Sequence, residues 1–128
     1  MKKPNRLILA LAALTLVLAL GGCEILEEVS AKDRMQDFIA DVNAGNYDLQ
    51  KHTSPLASQY TTANEDFWET WFSTYIPLTG LTEVYENDDA ASYTATGDDG
   101  STFSFVLVKA GNSFLIQAIT RNSNLVFN

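Results

Sequence analysis

ASYTATGDDGSTFSFVLVKAGNSFLIQAI, residues 91–119, is the stretch that decides the fold. Phe103, Phe105 and Leu107 alternate with Ser104, Val106 and Val108, the two-residue period of an extended strand. Gly97-Asp98-Asp99-Gly100 and Gly111-Asn112 interrupt the pattern with turn chemistry. Turns this short join antiparallel neighbours, because parallel strands need long crossovers. Just upstream, residues 81–86 carry a similar alternation and end at Asn87-Asp88-Asp89. Four antiparallel strands are therefore expected, over residues 81–86, 91–96, 102–109 and 113–121. The third has apolar residues on both faces, which suits a central strand. On the fourth, Phe114, Ile116 and Ala118 should share one face and Gln117 the other. The tail, residues 122–128, contains Leu125, Val126 and Phe127 and is apolar enough to dock on the domain.

Before the strands the period is helical. Met35, Phe38, Ile39 and Val42 fall at i, i+3, i+4 and i+7, one apolar helix face. Ser30-Ala31-Lys32-Asp33 resembles a capping box at its start, and Asn43-Ala44-Gly45 supplies a stop in which Gly45 takes the left-handed cap. A helix over residues 31–44 follows. Residues 46–52 have room for one short helix before Thr53-Ser54-Pro55. Asn64 then caps a third, with Glu65 and Asp66 at its positive end. Trp68, Trp71, Phe72 and Tyr75 are spaced along it, and Pro77 closes the segment. Helices first and an antiparallel sheet after them make an α+β domain, with the helices on one sheet face.

The helix-then-Asn/Gly-then-Tyr opening FIADVNAGNY, residues 38–47, together with residues 91–119, resembles the nuclear-transport-factor-2-like, cystatin-like superfamily and its small lipoproteins. The resemblance runs over roughly residues 30–121. It implies N-terminal helices packed on a curved four-stranded antiparallel sheet, a cone often holding a pocket at its wide end. Homodimers through the outer sheet face are common in that fold, and this chain is a candidate for one. The superfamily also includes ketosteroid isomerases, in which a carboxylate base faces a tyrosine and a protonated aspartate. None of those catalytic residues aligns with a position here.

The amino end points to a location. Lys2, Lys3 and Arg6 precede an apolar run, residues 7–20, broken only by Thr15. At ~1.5 Å per residue its fourteen residues reach about 21 Å as a helix, short of a ~30 Å hydrocarbon core. An export signal fits better than a permanent span. The run ends in Leu20-Gly21-Gly22-Cys23, with the chain's single cysteine, and this resembles the lipobox of bacterial lipoproteins. The resemblance implies a signal peptide over residues 1–22, lipid on Cys23, a short tether to residue 29 and one domain over residues 30–128. It places the protein in the bacterial cell envelope, membrane-anchored through Cys23. With Glu24 rather than Asp after the cysteine, it implies the periplasmic face of the outer membrane in a Gram-negative cell. Two or three acyl chains suffice for stable anchoring, where one holds only reversibly.

Removing Lys2, Lys3 and Arg6 leaves five of the eight Lys and Arg against sixteen Asp and Glu, so the net charge moves from −8 to −11. Nucleic acid is excluded as a partner on that balance, because phosphate binding needs a basic surface. Metal chemistry is not expected either: there is one histidine, and the loop opened by Asp98 has Lys109 at the twelfth position, where a calcium loop has Glu. No cofactor motif is present.

The residues available to line a pocket are Tyr60, Trp68, Trp71, Tyr75, His52 and Tyr93, with Asp66 and Tyr85 as further polar groups. Each has a structural reading beside the functional one. The aromatic helix packs as core or lines an apolar site, His52 ends a helix or faces a pocket, and Asp66 serves its helix start. Three classes of function stay open. One is a non-catalytic envelope lipoprotein that binds a small apolar ligand or a protein partner. Another is an isomerase- or dehydratase-like enzyme with a pocket carboxylate and tyrosines. The last is a structural or inhibitory protein that presents its acidic surface.

Overall fold

The computed structural model describes residues 28–128. The expected signal peptide, Cys23 and most of the expected tether lie outside them. Helix α1 spans Ala31–Asn43 and α2 spans Glu65–Phe72, with a one-turn 3-10 segment at Gln50–His52 between them. Strands β1 (Thr79–Glu86), β2 (Ala90–Thr96), β3 (Thr102–Ala110), β4 (Ser113–Arg121) and β5 (Asn124–Phe127) form one antiparallel sheet in sequence order. The domain is α+β, with five strands where four were expected. No helix among the described residues is long and apolar enough to cross a membrane.

Both helices begin on side-chain caps. Ser30 Oγ accepts from the Asp33 N–H at 3.1 Å, and Asn64 Oδ1 accepts from the Phe67 N–H at 3.0 Å. Each satisfies an N–H that the helix itself leaves unpaired. Gly45, at φ +76°, turns the chain out of α1. The buried stripe of α1 is Ala31, Met35, Phe38 and Val42, and it lies across the sheet. Near its start the Arg34 guanidinium donates from Nε to the Phe114 carbonyl of β4 at 2.9 Å. At its end the Asn43 amide closes a two-bond ring with Leu78, donating to the carbonyl at 2.9 Å and accepting from the N–H at 2.8 Å.

The inner sheet face alternates as the sequence indicates, with an alanine opposite a large residue in two of its three β2–β3 pairs. Ala95 pairs with Phe103, Tyr93 with Phe105 and Ala91 with Leu107, and all six are buried. The fourth strand departs from simple alternation. Val106 faces Ala118 while Leu107 faces Ile116, so Gln117 is an extra residue. This bulge bends the strand and shifts its period. Ile116 and Ile119 both reach the core, and Ala118, expected beside Ile116, moves to the outer face.

The tail is the fifth strand. Asn124 pairs with Arg121 and Phe127 with Ile119. A two-residue turn joins the strands with positive φ at both Asn122 (49°) and Ser123 (71°), the geometry that matches strand twist in a tight hairpin. The end of the chain is clasped by the loop before α2: Gln59 N–H and Ser58 Oγ donate to the Asn128 carbonyl at 2.8 and 2.7 Å. The remaining edge of β4 is covered by Val29, which bridges to Ser113, and by Thr53, which bridges to Ile116.

Candidate functional site

The sequence placed its site on the aromatic helix, and the structure puts that helix against the centre of the core. Trp68 is fully buried. Its indole N–H donates to the Ala63 carbonyl at 3.0 Å, so its one polar atom is satisfied within the loop that leads into α2. Ring centroids of Phe127 and Phe67 each lie 5.0 Å from it, and those of Phe38 and Phe72 lie 6.2 Å away. Phe38 in turn sits 5.5 Å from Phe105. Aromatic rings in such edge-on and offset contact fill the space between α1, α2 and the sheet.

The other expected pocket residues are dispersed. Tyr75 lies past the end of α2, half-buried, with the Arg121 guanidinium 4.2 Å above its ring. Trp71 and Tyr60 are half-buried against the outside of the core. Tyr93 is buried on β2, and its hydroxyl donates to Glu86 Oε1 at 3.3 Å on the exposed edge strand. Burial and the neighbouring Glu86 and Glu83 push the Tyr93 phenol up to about 12, so it serves as a donor. Asp66 is an exposed residue in the first turn of α2, and Tyr85 is exposed on β1, bonded to Asn87.

His52 is the exception, because it gathers a polar cluster. It is 3% exposed, its ring 5.9 Å from Phe38 in an edge-on contact. Its Nε2 lies 2.8 Å from Asp41 Oδ2, and Arg34 Nη1 lies 3.1 Å from its Nδ1. Guanidinium only donates, so Nδ1 is an acceptor and Nε2 carries the proton shared with Asp41. The ring is therefore neutral. Burial pushes its pKa below the ordinary value, and the Arg34 charge adds to that against the opposing hydrogen bond that the ring donates to Asp41. Burial acts to raise the Asp41 carboxyl, but the His52 hydrogen bond and Lys51, with Nζ at 3.4 Å, outweigh it and hold it low. An open cleft of 360 Å³ exposes this cluster between Arg34, Asp37, Asp41 and Lys51. Both ring nitrogens are already engaged, so His52 has no free atom with which to take a substrate proton.

The sequence pointed to His52 but missed its partners. The available signal was on α1: Arg34, Asp37 and Asp41 stand at i, i+3 and i+7, a charged stripe bordering the apolar one. Asp99, at the acidic turn, is likewise occupied by its own loop. It accepts from the Ser101 N–H at 2.9 Å and the Ser101 hydroxyl at 2.8 Å, bonds that hold its carboxyl below the usual range. No three His, Cys, Asp or Glu converge on a metal position among the described residues. Compared with models of protein families and with curated proteins, the chain matches none.

The outer face of the sheet has a different character. The register places Thr82, Tyr85, Thr94, Val106, Ala118 and Leu125 on it, whereas Glu83 and Glu86 pair with Tyr93 and Ala91 on the inner face. Tyr85 is 52% exposed, Val106 43% and Leu125 57%. No charged residue falls on this face among the described strands, in a chain with sixteen acids.

Proposed function

We propose that this chain is an envelope lipoprotein, held by acyl chains on Cys23, whose cystatin-like domain binds a protein partner through the outer face of its sheet. The lipobox residues Leu20-Gly21-Gly22-Cys23 support the anchor. The cone reading draws on α1 lying across the sheet and on the bulges that bend the strands. The observation that carries the binding surface is the uncharged outer face with Tyr85, Val106 and Leu125 exposed. Two strongly acidic surfaces repel, so contact is cheapest where carboxylates are absent. A second copy of the chain fits this face as well as a different protein does, and that is the homodimer of the fold.

A small apolar ligand is the weaker occupant, because the aromatic rings that would line its site already touch one another. Isomerase-type chemistry is weaker still. Tyr93 and Glu86 pair a phenol with a carboxylate, but the carboxylate stands exposed on the edge strand rather than inside the core with the phenol.

Native and intact-mass measurement of the full chain extracted from membranes tests the proposal. The expected result is an acyl mass on Cys23, absent in Cys23→Ser, and a complex or dimer that Val106→Asp abolishes while the fold persists. A complex unchanged in Val106→Asp would place binding elsewhere, and an unmodified Cys23 would remove the anchor.

A further inference from the structure

The point where the described domain begins fixes which end of it faces a membrane. Val29 is docked on the sheet: its carbonyl accepts from the Phe114 N–H at 2.9 Å, and it bridges in parallel to Ser113. Ser113 directly follows the β3–β4 turn at Gly111-Asn112. Val29 also shares a cleft with Glu86, Asn87, Asp88, Lys109 and Asn112, so the β1–β2 turn lies at the same end. The β2–β3 turn, at Asp98, and the β4–β5 turn, at Ser123, close the opposite ends of the same strands. At ~3.3 Å per residue the nine residues of β3 separate the two ends by about 26 Å.

Cys23 is only six residues before Val29. Fully extended, that chain spans at most about 21 Å. A lipid on Cys23 therefore holds the Asn112 end within that distance of the bilayer, and the other end is out of reach unless the domain lies flat. Charge opposes lying flat. The near end carries Glu28, Asp33, Glu86, Asp88 and Asp89 against Lys32 and Lys109, whereas the rest of residues 28–128 carries nine Asp and Glu against three Lys and Arg. Anionic headgroups therefore repel the untethered body more than the end that the tether holds.

Resting on the lipoprotein reading, we infer that the domain stands upright on an anionic bilayer, with the Asn87–Asp89 and Gly111-Asn112 turns toward the lipid and the Asp98 and Ser123 turns away. The strands then run away from the membrane, and the uncharged sheet face opens sideways to partners in the same membrane or in the space above it.

Energy transfer to a headgroup-labelled lipid tests this on the full, membrane-processed chain reconstituted in vesicles of phosphatidylethanolamine and phosphatidylglycerol. Because an acylated Cys23 does not react, a donor dye attaches only to an introduced thiol at Asn112→Cys, at Asp98→Cys or, as a second distal site, at Ser123→Cys. Intact mass of the same samples reports the acyl groups. With Cys23 acylated, transfer from the Asn112 position is expected to exceed that from both distal positions several-fold. Equal or reversed transfer with Cys23 acylated overturns the orientation and leaves the anchor standing. A Cys23 without lipid overturns the anchor, and the orientation with it.

Discussion

His52 holds its neutral form because both partners demand it. Protonation would place an N–H opposite the Arg34 guanidinium, 3.1 Å away, and break the contact that joins α1 to the 3-10 turn. The charged groups that act on the ring are Arg34 and Asp41 from α1 and Lys51 from its own turn, with Asp37 lining the same cleft. With the folded pKa lowered, the unfolded chain binds a proton below about pH 6.5 that the folded chain refuses. Stability is then fully present above that pH and lost as pH falls toward the lowered folded value, at no more than about 1.4 kcal/mol per pH unit for one proton. The Asp41 carboxyl, also lowered, loses its share only below its ordinary range near pH 4. Urea midpoints should therefore fall between pH 7 and pH 5, and His52→Gln should be less stable at pH 7 yet flat across that interval. A wild-type midpoint without slope there would show that the ring is not held neutral. Trp68 makes a comparable residue-scale case. As core it should cost about 3–5 kcal/mol on truncation to Ala. As a pocket wall it would cost far less and respond to added ligand, and urea titration of Trp68→Ala separates the two.

The turn at Asn122-Ser123 explains both what was legible in the sequence and what was not. Four strands were marked by Gly-bearing or Asn/Asp turns and by alternation, and their observed bounds differ from the expected ones by at most two residues. The helix starts were equally legible, because Ser30 and Asn64 are side-chain caps and the apolar residues of α1 keep helical spacing. The expected extents were not, since α2 ends at Phe72, before Tyr75, and only Gln50–His52 of residues 46–52 turns as a 3-10 segment. The fifth strand was hidden, since its turn uses Ser123 at φ 71°, where glycine is the usual marker. The inward set of β4 was misread for a related reason: a bulge leaves no composition signal, and Gln117 looks like any outward residue. The expected site was legible as residue types but not as an arrangement, because periodicity cannot distinguish an aromatic helix that lines space from one that fills it. Ser123 is also a place to test the turn. A non-glycine residue in the left-handed region carries about 1 kcal/mol of strain, partly offset by the lower entropy it has to lose. Ser123→Gly should accordingly stabilise the protein by about 0.5 kcal/mol in urea titration, and Ser123→Val should destabilise it. The reverse order would mean that β5 docking, rather than turn strain, sets the stability of this end.

At the scale of the whole molecule the two sheet edges are treated differently. The β4 side is covered in succession by Val29, Thr53 and β5, so its hydrogen-bonding groups are spoken for. The β1 side is bare, and nearly all of that strand is exposed, Val84 and Tyr85 included. A bare, apolar edge invites pairing with another chain. Here the register breaks between Thr79 and Thr82 and again between Glu83 and Tyr85, which twists the edge away from a flat partner. Glu83 and Glu86 add like charge against a second copy in a chain already at −8 overall. The bulges sit in the backbone, so the charges are the part that can be removed. Glu83→Thr combined with Glu86→Gln should leave the circular dichroism spectrum unchanged, because both side chains are exposed and the glutamine oxygen still accepts from the Tyr93 hydroxyl. It should also produce species larger than those of the parent chain in sedimentation velocity at matched concentration. High salt should move the parent in the same direction by screening the same carboxylates. If the double variant sediments as the parent does at every concentration, the bulges alone close this edge. Association then has to use another surface, and the uncharged face of the sheet is the one proposed above.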